Sequence, residues 1–462
     1  MTMSGRVATP THQPRSSRQF SVHEAVHVPA VCVSVLVYAT VLQLAYRYQV
    51  SPYFAEQGLT YRTPDIARYA LALVLVGAVA VALPRRCRRA SDFLQWMPFV
   101  IAGAPSILLA QYMDAVSPAE ATRLALAVFA SLMLCRALTV GGLSLGQLRP
   151  RPSRHVWAAM AVVVGLVYLN TLLLAGVPDL LISGDVYAVR AEFGLAIEGS
   201  LVARLLPSVY NVVNPVLMAR GLFARKFMPF AVGAGGQLLI FMWEGQKSVL
   251  LSVPAVVGTY LLLRRRTVWG YQMMLLASFL TVGSLLLDWL SNSYSFTTLF
   301  IRRFLVIPGA LTVAYVMVFK PREKTHFSEL GLGNNNPYEA LDPAFIVGRE
   351  FVRDATTHAN VNIWGHGYLS FGYLGMLIVA IMYAVVLLAL DASSDGLPPA
   401  VVGVVCVGMA IVISSANIFT SILTHGIWSL ILVLFLLPRT GWGPGPDGQT
   451  GPGTQVVSER DQ

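Results

Sequence analysis

Two histidines and two asparagines crowd the run Thr357-His358-Ala359-Asn360-Val361-Asn362-Ile363-Trp364-Gly365-His366, directly before an apolar run from Tyr368 to Leu390. That run is long enough to span a bilayer, so polar chemistry is delivered at a membrane surface. A histidine or carboxylate within hydrogen-bond reach of a hydroxyl can take its proton, and the candidates here are His358, His366 and Asp354. His358 ranks first because Asp354, four residues back, faces the same helical turn; His366 sits between glycines. Asn360, Asn362 and Tyr338 are candidate hydrogen-bonding ligands. The competing reading is that these Asn and His residues cap and solvate the start of a helix.

A second set of residues is cationic: Lys247, Arg302, Arg303 and Arg190. Cations beside a membrane cavity suit a phosphate or diphosphate, because they neutralise charge developing on a leaving group and arginine holds phosphate oxygens two at a time. Lys247 follows Trp243-Glu244-Gly245-Gln246 at the turn of a short apolar hairpin, where an unpaired charge is costly. It pairs either with Glu244 or with a substrate anion. Arg190 belongs to the loop Gly176–Ser200, whose charged and aromatic residues suit a saccharide rim or simple solvation.

Several chemistries have no sequence support. There is no Gly-rich phosphate loop ending in Lys-Ser/Thr, no Cys or His pair at zinc-ligand spacing and no Gly-x-Ser-x-Gly elbow. Cys32, Cys87, Cys135 and Cys406 are scattered and suggest neither a disulfide frame nor a metal set. No cofactor and no metal is expected.

The elements that must position these residues are membrane helices. With 55% hydrophobic and 12% charged residues and a mean hydropathy of +0.63 over 462 residues, the chain is not a soluble globular domain. It reads as an all-α polytopic membrane protein of about 12–13 membrane segments, with a disordered tail over 1–27, one integral domain over 28–438 and a loose Gly/Pro-rich tail over 439–462. External loops are expected at about 176–200 and 320–366. The net charge of +10 comes largely from Lys/Arg clusters beside apolar runs, such as Arg85-Arg86 with Arg88-Arg89, which puts the N-terminus in the cytoplasm. Pro98 and Pro105 imply a kink in the third span.

The alternation of sides breaks down after Arg302. If 304–319 crosses the bilayer, the long segment 320–364 becomes cytoplasmic. The basic Lys320, Arg322 and Lys324 agree with that side. Pro308-Gly309 permits a broken or re-entrant helix instead, which leaves that segment outside. Within the segment, Asp342-Pro343 reads as N-cap and first position of a helix. Ala344, Phe345, Gly348, Phe351, Val352 and Ala355 form its apolar stripe, and such a helix can lie on the membrane interface.

The order Asn336-Pro337-Tyr338, Ile346-Val347-Gly348, Ala359-Asn360 and then Gly365-x-Gly367-Tyr368-x-x-Phe371-Gly372-x-x-Gly375 resembles the membrane-embedded oligosaccharide repeat-unit polymerases, the O-antigen polymerase-like family. The match is closest over 299–391; elsewhere only the general layout agrees. Arg303 with Pro308 matches the family's Arg-x-x-x-x-Pro turn, whereas His366 departs from its more frequent Asp. The resemblance implies a metal-independent inner-membrane glycosyltransferase acting on polyprenyl-diphosphate-linked oligosaccharide, with other polysaccharide-assembly membrane proteins as partners and no nucleic acid. It favours the substrate anion as the partner of Lys247. It also implies that the segment 320–364 lies outside, and for that reason the outside placement, which Pro308-Gly309 permits, is the reading adopted. A ligase using the same donor and a flippase for a lipid-linked oligosaccharide are the alternative readings.

Overall fold

The structure is a computed structural model that describes residues 22–140, 150–178, 186–264, 268–328 and 336–443. Both tails, most of the polar part of the loop after Gly176, Arg265, Arg266 and Asn334-Asn335 lie outside the described residues.

The described residues form helices joined by loops, with isolated bridges such as Tyr61 with Met113 and no named strand. Nine of its helices are long and apolar enough to cross a membrane, from His27–Gln57 to Ile418–Leu436; Ile66–Ala82, Lys247–Leu263 and Pro399–Ile413 are shorter apolar helices. This is the polytopic helical bundle that the composition implies. Helices suit a bilayer because each satisfies its own backbone hydrogen bonds where no water is present.

The connections gather at two ends. At one, Cys87 donates its backbone N–H to Val268 (3.1 Å), Ser91 donates to Asp391 (2.8 and 2.6 Å), Arg439 donates to the Ser393 carbonyl (2.8 Å) and Arg151 to the Phe435 carbonyl (3.1 Å). This end also carries Arg85, Arg86, Arg88, Arg89 and Arg264. At the other, Arg62 donates to the Val116 carbonyl (2.6 Å), Lys320 to Glu120 (2.6 Å) and Arg322 to Glu350 (2.5 Å), and Arg190 reaches the Glu244 carbonyl (3.3 Å). Acidic and basic groups are mixed here.

The kink expected in the third span takes the form of a widened turn. A π-helical segment, Phe99–Gly103, lies between Pro98 and Pro105; another, Val209–Val213, lies between Pro207 and Pro215, and Thr297–Val306 runs up to Pro308. Proline has no N–H and crowds the preceding turn, so the helix accommodates it by a locally wider register.

The helix Thr297–Phe319 is long and apolar enough to cross and runs unbroken, π-helical to Val306 and α-helical from Ile307. Near its beginning Arg302 bonds Gln57 and lies over the Phe54 ring (4.4 Å); just past its end Lys320 bonds Glu120 in the first turn of Pro118–Val140. Both contacts belong to the mixed-charge end. The break expected at Pro308-Gly309 is absent: the helix passes there from π- to α-helical register without interruption.

The apolar run after Trp364 is not one simple span. Ile363–Ser394 is broken at Phe371 (φ −142°, ψ 23°) and Gly372 (φ +63°, ψ −145°), and the two halves fold into an antiparallel hairpin. Ile363 and Trp364 lie beside Ala380 and Tyr383 around one small void, and the backbones of Gly367 and Gly375 touch. The chain thus dips into the bundle, rises through 363–370, turns at Gly372 and only then crosses, through 373–394. Gly372 is required because its backbone angles exclude a Cβ at little cost only for glycine. The carbonyls of Leu369 and Ser370, freed by the break, accept the N–H groups of Thr325 (3.2 Å) and His326 (3.0 Å).

Candidate functional site

The structure sorts the sequence-selected residues into three places at the mixed-charge end and assigns one of them a purely structural contact set. That one is Asn362. It is fully buried, its Oδ1 accepts from the N–H groups of Trp364 (3.1 Å) and Gly365 (3.2 Å), and its amide donates to the Pro308 carbonyl and to Thr312 Oγ1 (2.8 Å each). It caps the rising arm of the hairpin and ties it to the Thr297–Phe319 helix. These bonds tie its side chain into the fold.

His358 and its surroundings form the first group. The helix expected after Asp342 is present, with the Asp342 carboxylate accepting from the Ala344 N–H (2.7 Å) and Pro343 at its first position. It is shorter than the apolar stripe suggested: α-helical to Val347, π-helical from Gly348 to Val352, and closed by Arg353 in the left-handed region (φ +62°). Ala355 is exposed. The helix packs on protein, with the Phe351 carbonyl against Gly58, so Gly348 and Phe351 are buried there.

The carboxylate beside His358 is Asp342, not Asp354. His358 Nε2 lies 3.5 Å from Asp342 Oδ1, and its ring meets Phe345 edge-on at 4.8 Å. The hydrogen bond from His358, joined by that from the Ala344 N–H, holds the Asp342 carboxyl below the usual range against the opposing effect of burial. Asp354 is taken up locally by the hydroxyls of Thr356 and Thr357 (2.7 Å each), which lower its pKa. Helix termination explains the difference: once Arg353 turns left-handed, four-residue spacing no longer stacks Asp354 under His358. His358 is 41% exposed and accessible, and Asn360 is also exposed.

Gln57 and Gly58 connect this group to the cations. Arg302 bonds Gln57, while Gly58 packs on Phe351. Arg303 is exposed one residue on.

The second group is Arg190 with Lys247. Arg190 donates to the carbonyls of Glu244 and Gly245 (3.3 Å each), which end the helix Phe227–Glu244. Such a cation suits the negative end of a helix dipole. Lys247 is exposed and forms no ion pair among the described residues, so the Glu244–Lys247 bridge is absent. The helix Lys247–Leu263 packs against Asn214–Ala224, Phe227–Glu244 and Pro399–Ile413, whereas Thr297–Val306 packs against other neighbours. Lys247 and Arg303 belong to different corners.

The third group lies at the hairpin tip. Glu120, buried in the first turn of its helix, accepts from Lys320 (2.6 Å), from Arg123 (3.4 Å) and from the Tyr373 hydroxyl. Lys324 lies over the Tyr368 ring (4.6 Å) and donates to the Phe319 carbonyl. Tyr338, expected as a ligand, donates to the Glu323 carbonyl (2.7 Å) and packs on Phe319 (5.4 Å). His366 is buried beneath this tip, with its ring over Phe327 (5.9 Å) and near Phe419 (6.4 Å). Tyr338 and His366 were already singled out in sequence; for the charged residues of the group the signal was the occurrence of Glu120 at the start of an apolar helix.

Searches against protein-family models, curated proteins and solved structures find no match to the chain.

Proposed function

We propose that the chain is a membrane glycosyltransferase that joins polyprenyl-diphosphate-linked oligosaccharide repeat units into a cell-surface polysaccharide of the O-antigen, capsule or exopolysaccharide type. The observation that carries the reading is the accessible His358–Asp342 couple, beside the helix whose Phe351 packs on Gly58, the neighbour of the Arg302 partner Gln57. A base and cations at one membrane boundary match what the reaction needs. The acceptor hydroxyl oxygen bonds to the anomeric carbon of the donor sugar as the bond from that carbon to the diphosphate oxygen breaks. His358 takes the hydroxyl proton, and the diphosphate leaves with the bonding electron pair, its charge met by arginine. Asp342 orients the imidazole.

In this reading the end with Arg85, Arg86, Arg88 and Arg89 faces the cytoplasm of an inner membrane, since basic loops are retained there, and the 336–362 segment works outside. A flippase for a lipid-linked oligosaccharide is the second reading, favoured by the broken helices at Gly372 and Gly426, a device that transporters also use at substrate sites. Purified protein in vesicles with a lipid-linked repeat separates the two. A ladder of longer lipid-linked glycans, lost in His358→Ala, supports the transferase; movement across the bilayer with no new glycosidic bond overturns it. Transfer to a different lipid acceptor, without a ladder, identifies a ligase.

A further inference from the structure

We infer that the tip of the helical hairpin is a phosphate-binding subsite centred on Lys324, with Lys320 and Arg123 beside it. The argument starts from charge. Lys324 is half-buried at a membrane boundary, and among the described residues its ammonium has a carbonyl dipole, at Phe319, and the face of Tyr368 to compensate it. No carboxylate pairs with it among the described residues. The nearby carboxylate of Glu120 is already shared by Lys320, Arg123 and Tyr373.

A cation drawn out of water without an anion is costly, and burial accordingly lowers the Lys324 pKa. A bound oxyanion removes that cost. The tip is also shaped to admit one. A Cβ at Gly372 would meet nothing within 4 Å except the Lys324 Cε, at 3.8 Å, so the glycine leaves open space over its own backbone beside the ammonium. The backbone is held in this form at some expense: His326 (φ +51°) and Phe327 (φ +64°) are both left-handed, and they clasp the tip through Phe371, 5.0 Å from each ring. Strain of this kind persists where the surroundings over-determine it, commonly at ligand clamps.

The ligand class is a phosphate or diphosphate monoester or its free ion. On the transferase reading, which this identification of the source rests on, each cycle uses two lipid-linked diphosphates, and the tip holds one while the Arg302–Arg303 corner meets the other.

The test is binding to the purified full-length protein in nanodiscs of neutral lipid, with inorganic diphosphate and a short-chain polyprenyl diphosphate as the probes. Lys324→Ala is expected to weaken binding about tenfold or more, the loss typical of one charge-assisted contact, and Lys324→Arg to retain most of it. Arg154→Ala, at the opposite end, is expected to bind as the parent does. A second variant, Arg123→Ala, guards against misfolding in the first, since its side chain is exposed. Unchanged affinity in folded Lys324→Ala and Arg123→Ala overturns the subsite. Lys324-dependent binding of both probes identifies the shared phosphate chemistry, and binding of the polyprenyl probe alone identifies the lipid as its source. Lys324-dependent binding in a protein that makes no glycosidic bond leaves the subsite standing and removes the transferase; a glycan ladder undiminished by Lys324→Ala at low substrate does the reverse.

Discussion

Gly367 and Gly375 meet backbone to backbone across the turn at Phe371-Gly372: a Cβ on Gly375 would lie 1.8 Å from the Gly367 carbonyl oxygen, and one on Gly367 2.7 Å from that of Gly375. No rotamer change relieves a clash with backbone. Gly375→Ala is therefore expected to destabilise the protein by about 1–3 kcal/mol or to prevent assembly of the hairpin. Gly283→Ala, where nothing lies within 4 Å, is the control and is expected to be harmless. Thermal unfolding of the detergent-purified variants checks this. Equal melting of the two alanine variants would dissolve the hairpin.

Asn362 supplies a cap and a brace in one side chain. Asn362→Ala leaves the Trp364 and Gly365 N–H groups without their cap deep in the bundle and is expected to cost about 2–4 kcal/mol, combining a cap with unsatisfied buried groups. Asn362→Asp keeps the acceptor but loses the bonds to Pro308 and Thr312, so it is expected to fall between. A variant that melts like the parent but makes no product would return Asn362 to ligand binding.

The His358 partner is testable through charge. Asp342→Asn retains a helix-capping side chain but removes the carboxylate; it is expected to reduce glycan extension tenfold or more, while Asp354→Asn changes it little, within the range of general-base effects. The reverse order would restore Asp354 as the orienting group.

Asp342 also fixes a pH dependence. Its folded pKa lies below the ordinary aspartate value of about 3.9, so its contribution to stability is present above that value and is lost as pH falls through the folded value. Melting temperatures of parent and Asp342→Asn are expected to differ at pH 6 and to converge as pH falls below about 4. A constant difference down to the acid limit would show that the carboxylate's charge adds nothing.

The external placement of the segment after Phe319 is testable by labelling. In a background lacking Cys32, Cys87, Cys135 and Cys406, cysteines at Asn336, Glu192 and Glu56 are expected to react with an impermeant thiol reagent from one side, and cysteines at Arg85 and Arg225 from the other. Opposite labelling of Glu56 and Asn336 would make 297–319 a crossing helix.

Sequence alone determined the membrane class, most helix positions, the Asp342-Pro343 start and the basic end, because length, apolar content and caps are local properties. What only the tertiary structure decided is where side chains meet. Hydropathy sees Tyr368–Leu390 as a single span, since an apolar arm that folds back scores like one that continues; the Gly367–Gly375 contact exists only between the two arms. Four-residue spacing pointed to Asp354, but spacing has meaning only while the helix lasts, and Arg353 ends it. Lys247 and Arg303 looked alike as membrane-boundary cations, yet the packing of their helices sends them to different corners. Glu120, Lys320 and Lys324 come together with Tyr373 through contacts spanning up to 253 residues of sequence, a separation at which no local pattern constrains a pair.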